Sequence, residues 1–499
     1  MQRRANDAPP STPTARKAAT MTQILDDVHS RLNATIVAQV CKPQTLHELQ
    51  ATVRQAAAAG RRISVAGGRH AMGGQQFADH SIHVDMTALD QVLQADPVRG
   101  LLRIEAGAMW PRIVEATHAM DAHSEIRWGI RQKQTGVDDV TLGGSIAANA
   151  HGRGLAMQPL GHDIEDLTLI DARGEAVLCS RTHNAELFSL VIGGYGLFGI
   201  VYAATLRLSP RVALRRLVDV LDLDDAVNAV FRRADEGCLY GDFQFAIDAQ
   251  DDHFLRRGVL ACYQPAGAGD AHEAAPADLA PDAWLTLLRL AHDDKNAAFA
   301  QYAKHYLGTH GGIYASDTMQ LSTYIPSYAD FLASSQADGT GPRETLVIGE
   351  HYVPRHQLLP FMQRARELLR AFGTEVIYGT IRSILRDTTS YLPWARDDFA
   401  CIVFNLRTPH DAAGLARTAH TFRALIDAAS ALGGSFFLTY HRHATAEQVR
   451  RCYPQFDAWL AKKREHDPQE LFASTWYLHY RDAFAQAFPA TLAREEAAA

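Results

Sequence analysis

The chain has 499 residues, of which 47% are hydrophobic and 21% charged, and its formal net charge is -7 at pH 7. This composition is typical of a globular protein of two or three domains and excludes a disordered or fibrous chain. Both signs of charge are mixed along the sequence, so we expect no nucleic-acid partner. The 6 cysteines contain no Cys-x-x-Cys pair, which argues against a zinc ribbon or a thioredoxin-like centre.

The most polar and the most apolar stretches of the sequence predict the order of the N-terminus and the cellular location of the protein. Residues 1–30 begin with a polar, Ala- and Pro-rich stretch, and we expect them to form a disordered N-terminal tail. No apolar run approaches the roughly 20 residues of a membrane span, and no apolar signal-peptide core is present. We therefore expect a cytoplasmic enzyme without a membrane span, while the sequence leaves its oligomeric state open.

Alternation of short β-prone runs with amphipathic helices predicts an α+β fold. Examples are a strand at 62–66, an amphipathic helix at 110–120 and a strand at 200–208 that ends at Pro210. We place a domain boundary at that proline. The predicted division is a first domain at 31–210, a second domain at 211–450 and a C-terminal segment at 451–499.

The first candidate site is a glycine-rich loop that leaves the predicted strand at 62–66. It reads Ala66-Gly67-Gly68-Arg69-His70-Ala71-Met72-Gly73-Gly74-Gln75. Glycines let the backbone approach a pyrophosphate closely, and successive N–H groups can form a nest for an anion. A flexible hairpin loop is the alternative interpretation, but a histidine between two glycine pairs favours a binding loop.

The second candidate is a run of small residues from Thr141 to Gly154, interrupted by Asn149, His151 and Arg153. A backbone of this kind can lie flat against a large planar or phosphorylated ligand. The alternative is a tightly packed helix of small residues. The polar interruptions favour a binding loop.

The third candidate, Gly194-Tyr195-Gly196-Leu197-Phe198-Gly199, satisfies the G-x-G-x-x-G dinucleotide fingerprint. That fingerprint requires a strand before the loop and a helix after it. Here a predicted helix at 185–191 precedes the glycines and a predicted strand at 200–208 follows them. Because this order is reversed, we do not expect a Rossmann site for NAD(P).

The three segments together resemble the FAD-binding domain of the vanillyl-alcohol oxidase / p-cresol methylhydroxylase (PCMH-type) family. Gly67-Gly68-Arg69-His70 is similar to the first loop of that family, and the second and third segments match its later motifs in order. The nearest branch is that of the alditol and aldonolactone oxidases, through similarities at 347–354 and 466–472. The resemblance implies a PCMH-type domain of two α/β subdomains and a cap domain with an antiparallel sheet flanked by helices.

The resemblance also implies that the cofactor is FAD. His70 would bond the 8α-methyl group of the flavin; the alternative is a noncovalent contact, since Ala71 replaces the serine usual after this histidine. The segment 127–139 lacks the cysteine found in doubly attached relatives, so a single bond is expected. The implied cofactor-binding residues are Ala66, Gly67, Gly68, Arg69, His70, Gln75, Thr141, Gly143, Gly144, Ser145, Asn149, His151, Gly152, Gly199, Ile200 and Val201.

Two segments of the cap domain carry candidate catalytic residues. Arg382 ends a predicted strand comparable to one that holds substrate-binding arginines in the alditol oxidase branch; an ordinary ion pair is the alternative. Tyr440 and His441 are candidates for a general base or a substrate donor. His441 and His443 form a His-x-His pattern without further metal ligands at a recognisable spacing, so no metal is predicted. The lysine that many lactone oxidases carry near this segment is absent.

These residues predict an enzyme that passes a hydride from a CH–OH group to flavin N5 and then electrons to oxygen or another acceptor. The expected substrate is a small polyol, sugar or lactone-like molecule. Three alternatives stay open: an FAD-dependent reductase of C=C bonds that uses NAD(P)H, an NAD(P)-dependent dehydrogenase, and a flavin-binding protein without catalysis.

Overall fold

A computed structural model of the protein describes residues 23–267, 279–322, 331 and 343–489. Within these residues the fold is α+β, as the sequence predicts, with three larger sheets and flanking helices. One sheet is parallel with three strands, the second is antiparallel with five, and the third is antiparallel with eight. The first two form the two subdomains of the predicted first domain, hereafter the FAD-side domain, and the third forms the cap.

The first subdomain is a β–α–β unit that presents the first glycine loop. Thr45 caps its helix by accepting a hydrogen bond from the Glu48 N–H, and Leu49, Val53 and Ala56 bury one helical face. The strands pair in parallel in the order β3-β5-β4, so the glycine loop leaves the carboxyl end of β4. The bounds are β1 Gln23–Leu25, β2 Thr35–Val37, β3 Gln39–Cys41, α1 Leu46–Ala58, β4 Ile63–Ala66 and β5 Ile82–Asp85.

The second subdomain is built on the five-stranded sheet, whose order is β10-β9-β11-β7-β6. Its buried face and the helices enclose a core that includes Trp110, Leu142 and Ile146. The small β8–β12 pair lies beside the sheet. The bounds are β6 Val92–Asp96, β7 Leu101–Glu105, α2 Trp110–Ala119, β8 Trp128–Gly129, α3 Leu142–Ala148, β9 Ile164–Ile170, β10 Ala176–Ser180, α4 Ala185–Val191, β11 Ile200–Arg207 and β12 Ser209–Pro210.

Of two predictions about the glycine segments, the one for the second segment is wrong in part and the one for the third segment is confirmed. The second segment was expected to be a loop, but its first half is helix α3, capped by Thr141 and ended by Asn149 at a positive φ of 49°. The helix alternative is therefore correct for that half, because small residues pack closely there. The third segment does follow helix α4 and precede strand β11, so the reversed order that argues against a Rossmann site is confirmed.

The cap domain is an eight-stranded sheet in the order β16-β13-β15-β14-β18-β19-β17-β20. One face packs against α5, α8 and α9 around an apolar core. Strand alternation turns Asp242, Tyr378, Arg382 and Glu350 toward the opposite face. The bounds are β13 Ala213–Asp222, α5 Leu223–Asp235, β14 Tyr240–Phe245, β15 Arg257–Pro265, α6 Pro281–Asp293, α7 Lys295–Gly308, β16 Ile313–Ala315, β17 Glu344–Pro354, α8 Leu358–Phe372, β18 Val376–Ile384, β19 Phe399–Pro409, α9 Ala412–Ala431 and β20 Ser435–Phe436.

The C-terminal segment returns to the first subdomain. The Ile63 N–H donates to the Leu471 carbonyl at 2.6 Å, and the Ala473 N–H donates to the Ile63 carbonyl at 3.0 Å. This bridge fixes the strand that ends in the first glycine loop. Its helices are α10 Ala446–Cys452, α11 Phe456–His466 and α12 Thr475–Ala487. The division of the chain at 210 and 450 stays a prediction.

The prediction of a disordered tail over residues 1–30 is wrong for residues 23–30. Residues 1–22 lie outside the described residues, but β1 and the turn after it are ordered. The buried Asp27 carboxylate accepts hydrogen bonds from the Ser30 hydroxyl at 2.8 Å and the Asn33 amide at 2.9 Å, which holds this turn in place. In the described part of the chain, no helix combines the length and the apolar character needed to cross a membrane.

Candidate active site

Two adjoining cavities lie between the glycine segments and the cap sheet. The smaller, of about 110 Å³, is lined mainly by the three glycine segments. The larger, of about 950 Å³, extends from the first two segments to the open face of the cap sheet. Gly67, Thr141 and Gly144 line both cavities, so the two spaces share a wall. An elongated ligand can therefore run from the third glycine segment to the cap.

All but two of the predicted cofactor-binding residues line one or both cavities. These are Ala66, Gly67, Gly68, Arg69, His70, Gln75, Thr141, Gly143, Gly144, Ser145, His151, Gly199, Ile200 and Val201. Their contacts with a cofactor stay a prediction. Placement on the walls agrees with the resemblance residue by residue.

Asn149 and Gly152 do not line either cavity, and their expected cofactor contacts are corrected. The Asn149 amide donates to Asp387 Oδ2 at 2.8 Å, and its oxygen accepts from the Gly161 N–H at 2.9 Å. A Cβ on Gly152 would lie 2.7 Å from the Lys133 carbonyl oxygen. Asn149 therefore joins the cap to the FAD-side domain, and Gly152 allows close packing of two backbone segments.

The first glycine loop fits a pyrophosphate. A Cβ on Gly67 would lie 2.1 Å from Thr141 Oγ1, and one on Gly68 would lie 2.0 Å from the Asp139 carbonyl oxygen. Glycine is therefore required for the loop to approach the second segment. Among the hydrogen bonds of the described residues, none uses the N–H of Gly68, Arg69 or His70. These donors are free for the oxygens of a phosphate.

His70 lies on the wall of the larger cavity and pairs with a second histidine. His70 Nδ1 is 2.8 Å from His29 Nε2, and His29 lines the same cavity. Burial lowers the pKa of His70 to about 4, and the neighbouring His29 acts in the same direction. The His70 imidazole is therefore neutral at pH 7. His29 was assigned to the disordered tail, so the sequence reasoning missed it.

A buried carboxylate, Glu350 on β17, organises the wall nearest the glycine segments. It accepts hydrogen bonds from His151 Nε2 at 2.6 Å, from the Tyr440 hydroxyl at 3.0 Å and from the Cys401 thiol at 3.3 Å. The Tyr352 hydroxyl is a fourth donor. The sequence reasoning did not single out Glu350; its only signal is an acidic residue within an otherwise apolar buried strand.

The charges in this cluster follow from its hydrogen bonds. His151 Nδ1 also faces the Gly152 carbonyl oxygen at 3.0 Å, so a doubly protonated ring satisfies both acceptors. Burial alone would raise the pKa of Glu350, but His151, Tyr352 and Arg382 outweigh it and lower that pKa to about 2. Glu350 is therefore a permanent anion that fixes its donors rather than a base.

Of the three predicted catalytic residues, Arg382 and Tyr440 line the larger cavity and His441 does not. The charge of Arg382 lowers the pKa of Glu350, and the Tyr440 hydroxyl donates a hydrogen bond to it. The Arg382 Nε–H is buried without a hydrogen-bond partner. His441 is not among the described residues that line either cavity, and its two ring nitrogens have no hydrogen-bond partner. Strand β20 ends at Phe436, five residues before His441, and the described cavity walls give His441 no place in the reaction.

Comparison with known proteins agrees with this geometry. Residues 37–180 match the family model described as "FAD binding domain". This range contains the first two glycine segments and, apart from β11, the strands of the two sheets that present them. The chain therefore carries an FAD-binding domain over these residues, it is an FAD-dependent oxidoreductase, and FAD is its cofactor.

The similar curated proteins are oxidoreductases. An L-gulono-1,4-lactone dehydrogenase of Mycobacterium tuberculosis is 22% identical over 449 residues, which cover 88% of this chain and 96% of the relative. An uncharacterised oxidoreductase of the fasciation locus of Rhodococcoides fascians is 30% identical over 175 residues, or 34% of this chain and 37% of that protein. An L-gulonolactone oxidase of Bos taurus is 27% identical over 188 residues, or 36% and 41% of the two chains. The latter two alignments therefore span less than half of the relatives' length.

Proposed function

Since the chain is an FAD-dependent oxidoreductase with a PCMH-type FAD-binding domain, we propose that it oxidises a CH–OH group of a small hydroxylated substrate. When bound, the flavin would supply the hydride-accepting chemistry at N5 and the route of the electrons to oxygen or another acceptor. The observation that carries this proposal is the Glu350 cluster, which places a hydroxyl-binding phenol and an unpaired guanidinium on one cavity wall. Full-length similarity to a lactone dehydrogenase supports polyols, sugars and lactones as the first donors to test.

Tyr440 is the proposed partner of the substrate hydroxyl. Its own proton points to Glu350 Oε2, so the lone pairs of Tyr440 Oη are free to accept a hydrogen bond. Burial and the adjacent Glu350 keep the pKa of Tyr440 well above its ordinary value. The substrate hydroxyl would donate a hydrogen bond to Tyr440 Oη, which orients it, and its proton would leave to solvent while Glu350 stays ionised. Glu350 positions this phenol.

Arg382 supplies the positive charge of the reaction. Its side chain lies on the cavity wall, and among the described residues no carboxylate forms an ion pair with it within 4.0 Å. An unpaired guanidinium in a buried site stabilises negative charge strongly because little water screens it. We assign Arg382 to the oxygen of the substrate and to the negative charge that reduction adds to the cofactor.

The experiment that tests this function is anaerobic reduction of the purified protein. We expect a yellow protein whose flavin absorbance bleaches with at least one CH–OH donor and not with NADH or NADPH alone. A colourless protein contradicts the FAD-dependent mechanism. Bleaching by NAD(P)H followed by reoxidation with an unsaturated acceptor contradicts alcohol oxidation and supports the C=C reductase instead.

We also propose that His70 bonds the flavin 8α-methyl group and that His29 orients its imidazole. Acid precipitation should leave the yellow colour with the wild-type pellet and release it from His70→Ala into the supernatant. His80→Ala, at an exposed position in the same segment, serves as the control and should keep the colour in the pellet. Release of colour from the wild type would show that the contact is noncovalent.

A further inference from the structure

The cap end of the large cavity is the part lined by Arg153, Arg216 and Asp242. Among the described residues, its buried arginines outnumber its carboxylates. Arg216 on β13 is 7% exposed and lines this cavity. Among the described residues no carboxylate lies within 4.0 Å of its guanidinium, and its Nε–H has no hydrogen-bond partner. Its recorded donor contact is with Thr309 Oγ1, at 3.1 Å. A buried guanidinium without a counter-ion destabilises the folded protein unless a ligand supplies the missing negative charge and hydrogen-bond acceptors.

A second arginine and one carboxylate share this end. Arg153 follows the second glycine segment, and its NH1 group lies 3.6 Å from Asp242 Oδ1. The Arg153 Nε–H is also buried without a partner. Among the described residues, these two guanidinium groups and the Asp242 carboxylate leave one positive charge uncompensated. Asp242 is in addition held by the Thr380 hydroxyl at 3.1 Å, so it is a fixed part of the wall.

Aromatic rings surround these cations and fix their positions. The Arg216 guanidinium lies 4.1 Å from the ring centre of Tyr314, 5.0 Å from that of Tyr263 and 5.4 Å from that of Tyr306. Such contacts stabilise the guanidinium from its faces and leave its edge, where the N–H donors lie, for a ligand. An edge with two N–H groups matches a carboxylate.

The part of the wall that helices α6 and α7 form is mainly apolar, with Tyr302, His305 and Tyr306 as its polar side chains. Helix α6 turns Trp284, Leu287, Leu288 and Ala291 toward the cavity, at the spacing of one helical face, and α7 adds its own apolar residues, among them Phe299. The Trp284 Nε1–H is buried without a hydrogen-bond partner. A polyol would find few acceptors on this surface. An apolar body that carries an anion would match both the wall and the cations.

From these observations we propose that the substrate is a hydroxylated carboxylic acid with an apolar body, whose carboxylate binds at Arg153 and Arg216. This inference rests on the proposed function, in which the hydroxyl end lies at Tyr440 and Arg382. It assigns Arg216 as a specificity-determining residue. The carboxylate would complete the hydrogen bonds of both Nε–H groups.

The test compares donors that differ only in charge. The probes are para-(hydroxymethyl)benzoate and its carboxamide, with omega-hydroxyhexanoate and its amide as an aliphatic pair. Dissociation constants come from the change in the flavin absorbance spectrum on binding, and reduction rates come from bleaching under anaerobic conditions. We expect at least one acid to bind more tightly than its amide.

Arg216→Gln should weaken acid binding roughly 10- to 100-fold and leave amide binding nearly unchanged, because a charge-assisted hydrogen bond is lost. Arg216→Lys, which keeps the charge, should restore part of the preference. Arg215→Gln, the neighbouring arginine on the opposite face of β13, is the matched control and should bind like the wild type. Thermal unfolding of each variant reports whether it folds.

The outcomes separate the two proposals. Acids that bind no better than amides, or an acid preference that survives Arg216→Gln in a folded protein, overturn the anionic site while alcohol oxidation can stand. If a donor binds with the predicted charge preference but no CH–OH donor bleaches the flavin, the proposed function fails and the anionic site stands. Preference for acids that Arg216→Gln removes and Arg216→Lys partly restores supports the inference.

Discussion

The two ends of the large cavity contrast in how their charges are satisfied. Near the glycine segments, Glu350 accepts hydrogen bonds from His151, Tyr352, Cys401 and Tyr440 within the protein itself. Among the described residues, the buried Nε–H groups of Arg153 and Arg216 at the cap end have no partner, and at the Glu350 end the same holds for the Nε–H of Arg382. A closed network holds groups in one geometry for chemistry, whereas open donors await a ligand. The reaction and the selection of the substrate are thus placed at separate ends.

Glu350→Gln should have the largest effect, because it removes the anion that orients Tyr440 and pairs with His151. We expect the rate of flavin reduction to fall roughly 1000-fold, with a smaller change in substrate binding. Stopped-flow bleaching measures both. The control is Glu344→Gln, a buried glutamate on the same strand that pairs with Arg407. A reduction rate within about 3-fold of the wild type would contradict the role of Glu350 in this network.

Tyr440→Phe should lower the reduction rate roughly 100-fold, since the acceptor for the substrate hydroxyl is lost while Glu350 keeps its other donors. The matched control is Tyr453→Phe, which also removes one buried hydroxyl, bonded to the Phe436 carbonyl. If both variants reduce the flavin at the wild-type rate, Tyr440 has no part in the reaction.

Low pH should reduce the free energy of unfolding of the protein because it protonates Glu350. Its pKa is lowered from 4.5 to about 2 in the folded protein, so its contribution is complete above pH 4.5 and is lost as the pH falls toward 2. Between pH 7 and pH 3 the wild type should lose about 2 kcal/mol through this group, and Glu350→Gln should lack that loss. Denaturant midpoints of both proteins at the two pH values measure it. Equal losses would show that Glu350 has an ordinary pKa.

Asp242→Asn should have the smallest effect and the opposite sign, because it removes the carboxylate that the described residues place at the cap end. Binding of the carboxylate probe should tighten roughly 3- to 10-fold, with no change in the reduction rate. Spectral titration gives the dissociation constant. Asp219→Asn, which affects an aspartate paired with Arg233, is the control. Weaker binding in Asp242→Asn would mean that Asp242 itself contacts the substrate.

The glycine half of the site could be predicted from the sequence, and the cap half could not. Gly67 and Gly68 act through their backbone. Because they are consecutive in the sequence, a local pattern is enough to find them. Glu350 and Arg216 come from strands far apart in the chain, and only the register of the cap sheet brings them to one cavity.

The two misassigned polar residues show why local pattern fails. Asn149 ends a helix at a positive φ, which turns its amide to Asp387 rather than to the cavity. His441 was expected on a strand, but that strand ends at Phe436, so alternation of facing no longer holds. Both errors arise at the end of an element, where the sequence gives the least information about direction.

The most direct test of the division between the two ends is a stopped-flow series of flavin reduction against donor concentration. For wild type, Tyr440→Phe and Arg216→Gln, the series separates the limiting reduction rate from the apparent dissociation constant. We predict that Tyr440→Phe lowers the rate at a nearly constant dissociation constant, and that Arg216→Gln raises the dissociation constant at a nearly constant rate. The account is contradicted if both variants change the same parameter.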